Sequence, residues 1–190
     1  MPPLLRRIGW LAILDAIFAT LQDSPSRDRL RLLAYAGLRP CEVARIQADD
    51  FTDGAEPTLL VRTAKGGPAG TLPLLPEAAE AVRALIAGDH LGHFGTAPIG
   101  RVLHRACAKV TVALALRPPL HLRPYDLRHS FGTAVTLAAD ERTAQASLRH
   151  ASITTTKRYT LRAVPERVRT ALRAIDGRKP AASDEGKRTA

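Results

Sequence analysis

Five side chains in the sequence have the chemistry needed to break a phosphodiester bond: Arg39, Lys65, Arg128, His150 and Tyr159. Planar guanidinium groups bind phosphate oxygens bidentately, and a lysine ammonium can protonate a leaving 5′ oxygen as a general acid. A tyrosine hydroxyl is a weak nucleophile at neutral pH and needs a cationic pocket, which the arginines and the histidine would provide. The set predicts attack by a tyrosine on a phosphodiester, and no metal is required because the cations are built in.

Taken singly, four of these residues have simpler explanations. Arg39 stands three residues before Glu42 and could form a plain ion pair with it. Lys65 lies in a glycine-rich stretch and could be a solvated turn residue, whereas His150 could cap the end of a helix as a cation. Tyr159 could be an amphipathic ring half buried in the core. Only their combination favours phosphoryl chemistry.

The segment "RPYDLRHSF" also has a structural interpretation. Leu127 and Phe131 are four residues apart and are expected to face the core of one helix. In that arrangement Arg128 and His129 could lie on the helix surface with no further role.

A zinc site is a further alternative, because the sequence holds an H-x2-H followed by an H-x2-C: His90, His93, His104 and Cys107. This spacing is compatible with zinc ligands, but such histidines are more often loop and helix-surface residues, so no metal is predicted. Cys41 and Cys107 are far apart, and we expect both to be free, buried thiols in a reducing compartment.

The elements that must position these side chains are predicted to be mostly helical. Apolar residues recur at spacings of three and four, with Pro, Gly or Asp between the segments. Gly37 is expected to follow the end of one helix and Pro40 to begin the next, short one. The other predicted helices contain "WLAILDAIFATL", "SRDRLRLLAYAG", "PEAAEAVRALIAG", "PIGRVLHRACAKVTVAL", "YDLRHSFGTAVTLAA", "ERTAQASL" and "VPERVRTALRAI".

One segment, "TLLVRTAKGGPAGTLPL", is typical of a β-hairpin, since two short β-rich runs flank a glycine-rich turn with Lys65 at its bend. The predicted fold class is therefore mainly α with a small antiparallel β-hairpin or sheet, α+β.

The chain length and the counts of charged residues agree with a basic, single-domain protein. The chain has 190 residues, with 28 Lys+Arg against 18 Asp+Glu and a formal charge of +10, which favours a polyanionic partner such as nucleic acid. No stretch is long and apolar enough to span a bilayer, and Asp15 interrupts the apolar run near the start. We expect a cytoplasmic protein.

Four segments in order resemble the catalytic domain of the tyrosine recombinase, or phage integrase, family. "AGLRPCEVARIQADDF" is similar to its first arginine box, "TAKGG" to its hairpin lysine, "YDLRHSFGT" to its second arginine box, and "LRHASITTTKRYT" to its histidine and nucleophile box. The resemblance implies these roles: Arg39 and Arg128 clamp the phosphate, Lys65 is the general acid, His150 is the second histidine, Tyr159 is the covalent nucleophile, and Glu42 props the first arginine.

Two positions depart from the family pattern. Tyr125 stands three residues before Arg128, where the family usually has histidine or lysine. A phenol can hydrogen-bond to the phosphate or orient Tyr159, but it is a poorer general base than imidazole near neutral pH. Arg149 replaces the glycine common before His150, which adds charge near the phosphate.

The resemblance also implies partners and domain limits. It implies double-stranded DNA as substrate, a homotetramer on synapsed DNA sites, and neither ATP nor a metal cofactor. Residues 1–176 are expected to form the catalytic domain without the family's N-terminal DNA-clamping domain, and residues 177–190 a disordered polar tail. The chain could be a truncated copy, a fragment, or a minimal enzyme that depends on a partner.

The leading functional prediction is a site-specific DNA recombinase that works through a 3′-phosphotyrosyl intermediate. A relaxing topoisomerase would use the same chemistry. A non-catalytic, DNA-binding relic is the alternative from another class, because of Tyr125 and the expected lack of a clamping domain.

Overall fold

The computed structural model describes residues 10–62, 69–148, 168–172 and 174, which are mainly helical with one small sheet. The helices are α1 (Trp10–Ala19), α2 (Pro25–Tyr35), α3 (Pro40–Val43), α4 (Pro76–Ala87), α5 (Thr96–Ala113), α6 (Pro124–Ala138) and α7 (Glu141–Leu148). The strands are β1 (Phe51–Thr52), β2 (Thr58–Val61) and β3 (Gly70–Pro73), with a 3₁₀ turn at Ala48–Asp50. The predicted fold class is confirmed.

The sheet is antiparallel, and β2 lies between β1 and β3. Leu59 of β2 pairs with Phe51 on one side and with Leu72 on the other. Buried and partly exposed side chains alternate along β2, as expected for a strand with one face on the core. The sequence predicts β2 and β3 but not β1, because a strand of two residues is too short to show an alternating pattern.

Proline and capping residues fix where several helices begin. Ser24 caps α2, since its hydroxyl accepts a hydrogen bond from the Arg27 N–H at 3.3 Å. Proline has a φ angle suited to the first turn and lacks an N–H that would go unpaired there. It opens four of the described helices: Pro25, Pro40, Pro76 and Pro124.

Helix α2 organises the core, because it packs against α4, α5 and α6. Its Leu30, Leu32 and Leu33 are fully buried. Helix α7 packs closely on α6, where a Cβ added to Gly132 would meet Leu148 Cδ1 at 2.6 Å. This close approach brings the end of α7 over the same helix that carries Arg128.

The two cysteines differ in environment. Both are free, and Cys107 is buried in α5 as predicted. The expectation that Cys41 is buried is wrong, because α3 turns the next side chain, Glu42, into the interior and leaves the thiol exposed.

Residues 168–172 and 174 are helical, in agreement with the predicted C-terminal helix. Val168, Ala171 and Leu172 are buried in the core of the same chain. The expected tail, 177–190, lies outside the described residues. Among the helices of the described ranges, none combines the length and the apolarity needed to cross a membrane.

Candidate active site

The site begins at the tight turn that joins α2 to α3. Gly37 has φ +61°, in the left-handed region that favours glycine, and the next residue donates its N–H to the Leu32 carbonyl at 3.3 Å. A Cβ at Gly37 would also collide with the Phe131 ring of α6. Only glycine therefore fits here, and the turn presents its carbonyl and the following Arg39 to α6.

Glu42 joins the two predicted arginines. Its side chain is 4% exposed, its Oε1 lies 2.7 Å from Arg39 Nη1, and its Oε2 accepts a hydrogen bond from the Arg39 backbone N–H at 2.7 Å. The same Oε2 lies 3.6 Å from Arg128 Nη1. The predicted ion pair of Arg39 and Glu42 therefore exists, and it is part of a larger cluster that also takes in the second arginine box.

Arg128 is buried, with a side chain that is only 1% exposed. Its Nη1 donates to the Gly37 carbonyl and its Nη2 to the carbonyl of Leu148 at the end of α7. The interpretation of Arg128 as a surface residue is wrong, although Leu127 and Phe131 do face the core as predicted. A buried cation is costly unless it is paired, and here a carboxylate and two carbonyls surround it.

Arg39 is the more accessible of the two arginines, with a side chain that is 30% exposed. Burial lowers the pKa of Arg39, but the hydrogen-bonded Glu42 carboxylate and the phenol of Tyr125 outweigh burial, and the net pKa is raised. The guanidinium therefore stays charged at any pH the protein meets. Its contact with the phenol also links the first arginine box to the start of α6.

Tyr125 lies in the first turn of α6 and is 44% exposed. Its ring contacts the ring of His129, one helical turn later, with centroids 5.3 Å apart and planes at 67°. The phenol is also near enough to the Arg39 guanidinium to help raise its pKa.

The remaining predicted site residues lie outside the described ranges: Lys65, Arg149, His150 and Tyr159. The structure brings together Arg39, Glu42, Tyr125 and Arg128 from segments that are about 90 residues apart, as in the Arg128 to Gly37 hydrogen bond with a separation of 91.

Sequence reasoning missed three parts of this arrangement. The carbonyls of Gly37 and Leu148 that hold Arg128 carry no side-chain signal, so a sequence cannot point to them. The contact of Tyr125 with His129 could have been found, because residues four apart on a helix are neighbours.

A basic face on α5 was also missed. Helix α5 contains no acidic residue, and four cationic or titratable side chains on it are exposed: Arg101, His104, Arg105 and Lys109. The His104 ring contacts that of His121, with centroids 5.9 Å apart. The spacing of three and four residues was the available signal.

The described residues hold no group of three His, Cys, Asp or Glu side chains that could bind a metal ion. His90, His93, His104 and Cys107 all lie in those ranges, and the fold does not bring them together as one such group.

Comparison with known proteins gives consistent results. The model of the phage integrase family matches residues 11–164. Tyrosine recombinase XerC of Rhodospirillum centenum is 35% identical over 160 residues, which cover 78% of this chain and 45% of that protein. Tyrosine recombinase XerC of Rhizobium meliloti is 35% identical over 142 residues, 69% of this chain and 43% of that protein. The chain spans less than half the length of these two relatives.

Solved structures show the same fold. The integrase from mycobacterium phage Brujita superposes with a TM-score of 0.62 and 26% identity, over 90% of this chain and 58% of that one. The XerH site-specific recombinase, in a pre-cleavage complex with its difH substrate, gives a TM-score of 0.55 and 22% identity over 74% of this chain and 44% of that one. The second likeness concerns the fold alone.

Proposed function

Since the chain belongs to the phage integrase family, we propose that it acts as the catalytic part of a site-specific DNA recombinase. The observation that carries the proposal is the cluster of Arg39, Glu42 and Arg128, in which two guanidinium groups share one buried carboxylate. Cations held in fixed positions stabilise the charge that develops on a phosphate in the transition state. In this proposal residues 1–176 form the catalytic domain.

The proposed reaction conserves the energy of the phosphodiester bond. Tyr159 loses its hydroxyl proton to water as its oxygen attacks the phosphorus, the bond to the 5′ oxygen breaks, and Lys65 gives that oxygen its proton. Arg39 and Arg128 are assigned to the non-bridging oxygens: Arg39 is already accessible, whereas Arg128, at 1% exposure, must be uncovered when DNA binds. His150 adds positive charge. The 5′ hydroxyl of a partner strand then attacks the 3′-phosphotyrosine and releases the tyrosine. No step consumes ATP or uses a metal ion.

The basic face of α5 supports double-stranded DNA as the substrate. Three of its exposed cations follow one another at intervals of four residues, so they lie along one side of the helix: Arg101, Arg105 and Lys109. Such a row matches a run of phosphates, and the net charge of +10 adds to the attraction. We propose that α5 lies against DNA while the arginine cluster holds the scissile phosphate.

The assembly and location are part of the same proposal. Exchange of strands between two DNA sites requires a subunit at each point of cleavage, so we propose a homotetramer on synapsed sites, in the cytoplasm. Similar structures support DNA as a partner, since XerH was solved with its difH substrate and a lambda integrase dimer with a core site.

A suicide-substrate experiment tests the enzyme. Duplexes with a nick near a randomised core trap a covalent protein–DNA adduct, because the short strand diffuses away after cleavage. The full chain should form adducts that survive denaturation, and sequencing of the trapped DNA should give one preferred site. Tyr159→Phe should abolish the adducts. Tyr35→Phe is the matched control, because it removes a hydroxyl from a different, buried tyrosine, and this variant should still form adducts.

Two outcomes contradict the proposal. Adducts that persist in Tyr159→Phe would assign the nucleophile elsewhere. DNA binding without any adduct would favour the non-catalytic, DNA-binding alternative.

A further inference from the structure

We propose that His129 is a positioning residue that holds the Tyr125 phenol against Arg39. The inference rests on the proposed recombinase function for its catalytic consequence, while the contact itself is a property of the folded chain. Tyr125 stands where the family usually has histidine or lysine. The proposal therefore explains how a phenol is kept in place at that position.

The first step is the geometry of α6. Tyr125 and His129 are four residues apart, and on a helix such side chains lie one above the other. Their ring centroids are 5.3 Å apart and their planes are at 67°, an edge-to-face arrangement. Aromatic pairs prefer this geometry because the positive edge of one ring meets the negative face of the other.

The second step is that an exposed tyrosine needs such a restraint. Tyr125 is 44% exposed, and a ring at the start of a helix has several staggered rotamers open to it. The histidine ring lies on one side, and the phenol is near enough to the Arg39 guanidinium to raise its pKa. With both neighbours present, one rotamer is favoured, and it is the one that directs the hydroxyl to the arginine cluster.

The third step is that Arg39, the other neighbour of the Tyr125 side chain, is itself held in place. Arg39 cannot swing freely, because Glu42 holds its guanidinium and its backbone N–H at 2.7 Å each. Glu42 is buried together with Arg128. The order His129, Tyr125, Arg39, Glu42 runs from the surface into the core: the two rings are exposed, Arg39 is partly exposed and Glu42 is buried.

The proposal assigns the effect to the shape of the ring and not to its basicity. An aromatic replacement at position 129 should keep the edge-to-face contact, although it cannot carry a proton or a charge. If His129 instead accepted a proton through the phenol, or bound DNA as a cation, an apolar ring would not replace it.

Single-turnover cleavage of the nicked substrate separates these roles. His129→Ala should slow cleavage about twofold to tenfold, the effect expected for loss of one aromatic pair, with an unchanged Kd for DNA. His129→Phe should restore most of the rate. In a Tyr125→Phe background, His129→Ala should have no further effect, because the hydroxyl it positions is gone. His93→Ala, an exposed histidine in a loop, is the control and should cleave as the wild type does.

A spectroscopic measurement does not depend on cleavage. The chain has three tyrosines, so tyrosine-selective ¹³C labelling gives few ring signals, and Tyr125→Phe assigns the relevant one. His129→Ala should shift that signal and weaken its nuclear Overhauser effect to Arg39, whereas His129→Phe should keep the effect.

The results that overturn the proposal are distinct from those that overturn the recombinase. An unchanged Tyr125 signal in His129→Ala, or a His129→Phe variant as slow as His129→Ala, rejects the positioning role. A wild-type chain that forms no adduct rejects the proposed function, and the ring signal still decides whether the histidine positions the tyrosine.

Discussion

At the scale of single residues, the candidate site depends on one buried carboxylate. Glu42 faces two guanidinium groups, and one of them, on Arg128, is almost wholly excluded from water. The interior screens charges poorly, so removal of the carboxylate leaves a cation without its main counter-charge.

Glu42→Ala should therefore lower the free energy of unfolding by about 3–5 kcal/mol, the usual cost of breaking a buried pair. Urea denaturation measures it. Glu80→Ala is the matched control, since Glu80 pairs with Arg31 at 2.8 Å but is 59% exposed. Its loss should cost less than about 1 kcal/mol. Equal effects of the two substitutions would contradict the role given to burial.

Gly37→Ala should be destabilising for two reasons that add. The left-handed backbone costs about 1–3 kcal/mol for a residue with a Cβ, and the new methyl group would collide with the Phe131 ring. Gly92→Ala separates the two, because Gly92 has φ +93° but open space around it. Thermal unfolding should show a larger drop in Tm for Gly37→Ala. A drop no larger than that of Gly92→Ala would mean that the ring moves aside at little cost.

At the scale of elements, the start of α6 sets the direction in which Tyr125 and Arg128 point. Asp126 lies between them and caps the helix by accepting a hydrogen bond from the Arg123 backbone N–H at 2.7 Å. Burial raises the pKa of Asp126, but this hydrogen bond and the Arg123 guanidinium outweigh burial, and the net pKa is lowered. The ionised form is therefore the one that stabilises the fold.

Asp126→Ala should cost about 0.5–2 kcal/mol at neutral pH, as for other helix caps. A lowered pKa in the folded state gives a contribution that is complete above the ordinary value of 3.8 and is lost as the pH falls through the lower, folded value. The difference between the variant and the wild type should thus shrink in acid, as urea denaturation at a series of pH values would show. Asp49→Ala, at an exposed position, is the control. A difference that does not depend on pH would contradict the role of the charge.

At the scale of the whole molecule, the distribution of charge governs how the protein would meet DNA. Salt screens the attraction between phosphates and exposed cations, so the logarithm of the binding constant falls linearly with the logarithm of the salt concentration. A site formed by phosphate contacts should show this dependence whatever the DNA sequence.

Arg101→Ala and Arg105→Ala should each lower the slope of that plot by about 1, because each removes one of the phosphate contacts proposed for α5. Fluorescence anisotropy with a random-sequence duplex measures it. Arg83→Ala is the control, since Asp53 already pairs with Arg83 through two hydrogen bonds. A slope unchanged by both α5 substitutions would place the DNA on another face.

Much of this protein can be predicted from its sequence. The predicted helices and the hairpin strands are present in the described residues, because apolar spacing, proline and glycine act locally. The same is true of the ion pair of Arg39 and Glu42, which are neighbours in the chain and need only one turn of helix to meet.

Contacts between distant segments were decided only by the tertiary structure. Burial of Arg128 depends on a carbonyl 91 residues earlier in the chain and on the end of α7, and no local pattern encodes either. The exposure of Cys41 follows from the direction in which α3 meets the core. The sequence by itself determined which groups are available for chemistry; folding decided which of them became buried and paired, because that depends on the distances between segments far apart in the chain.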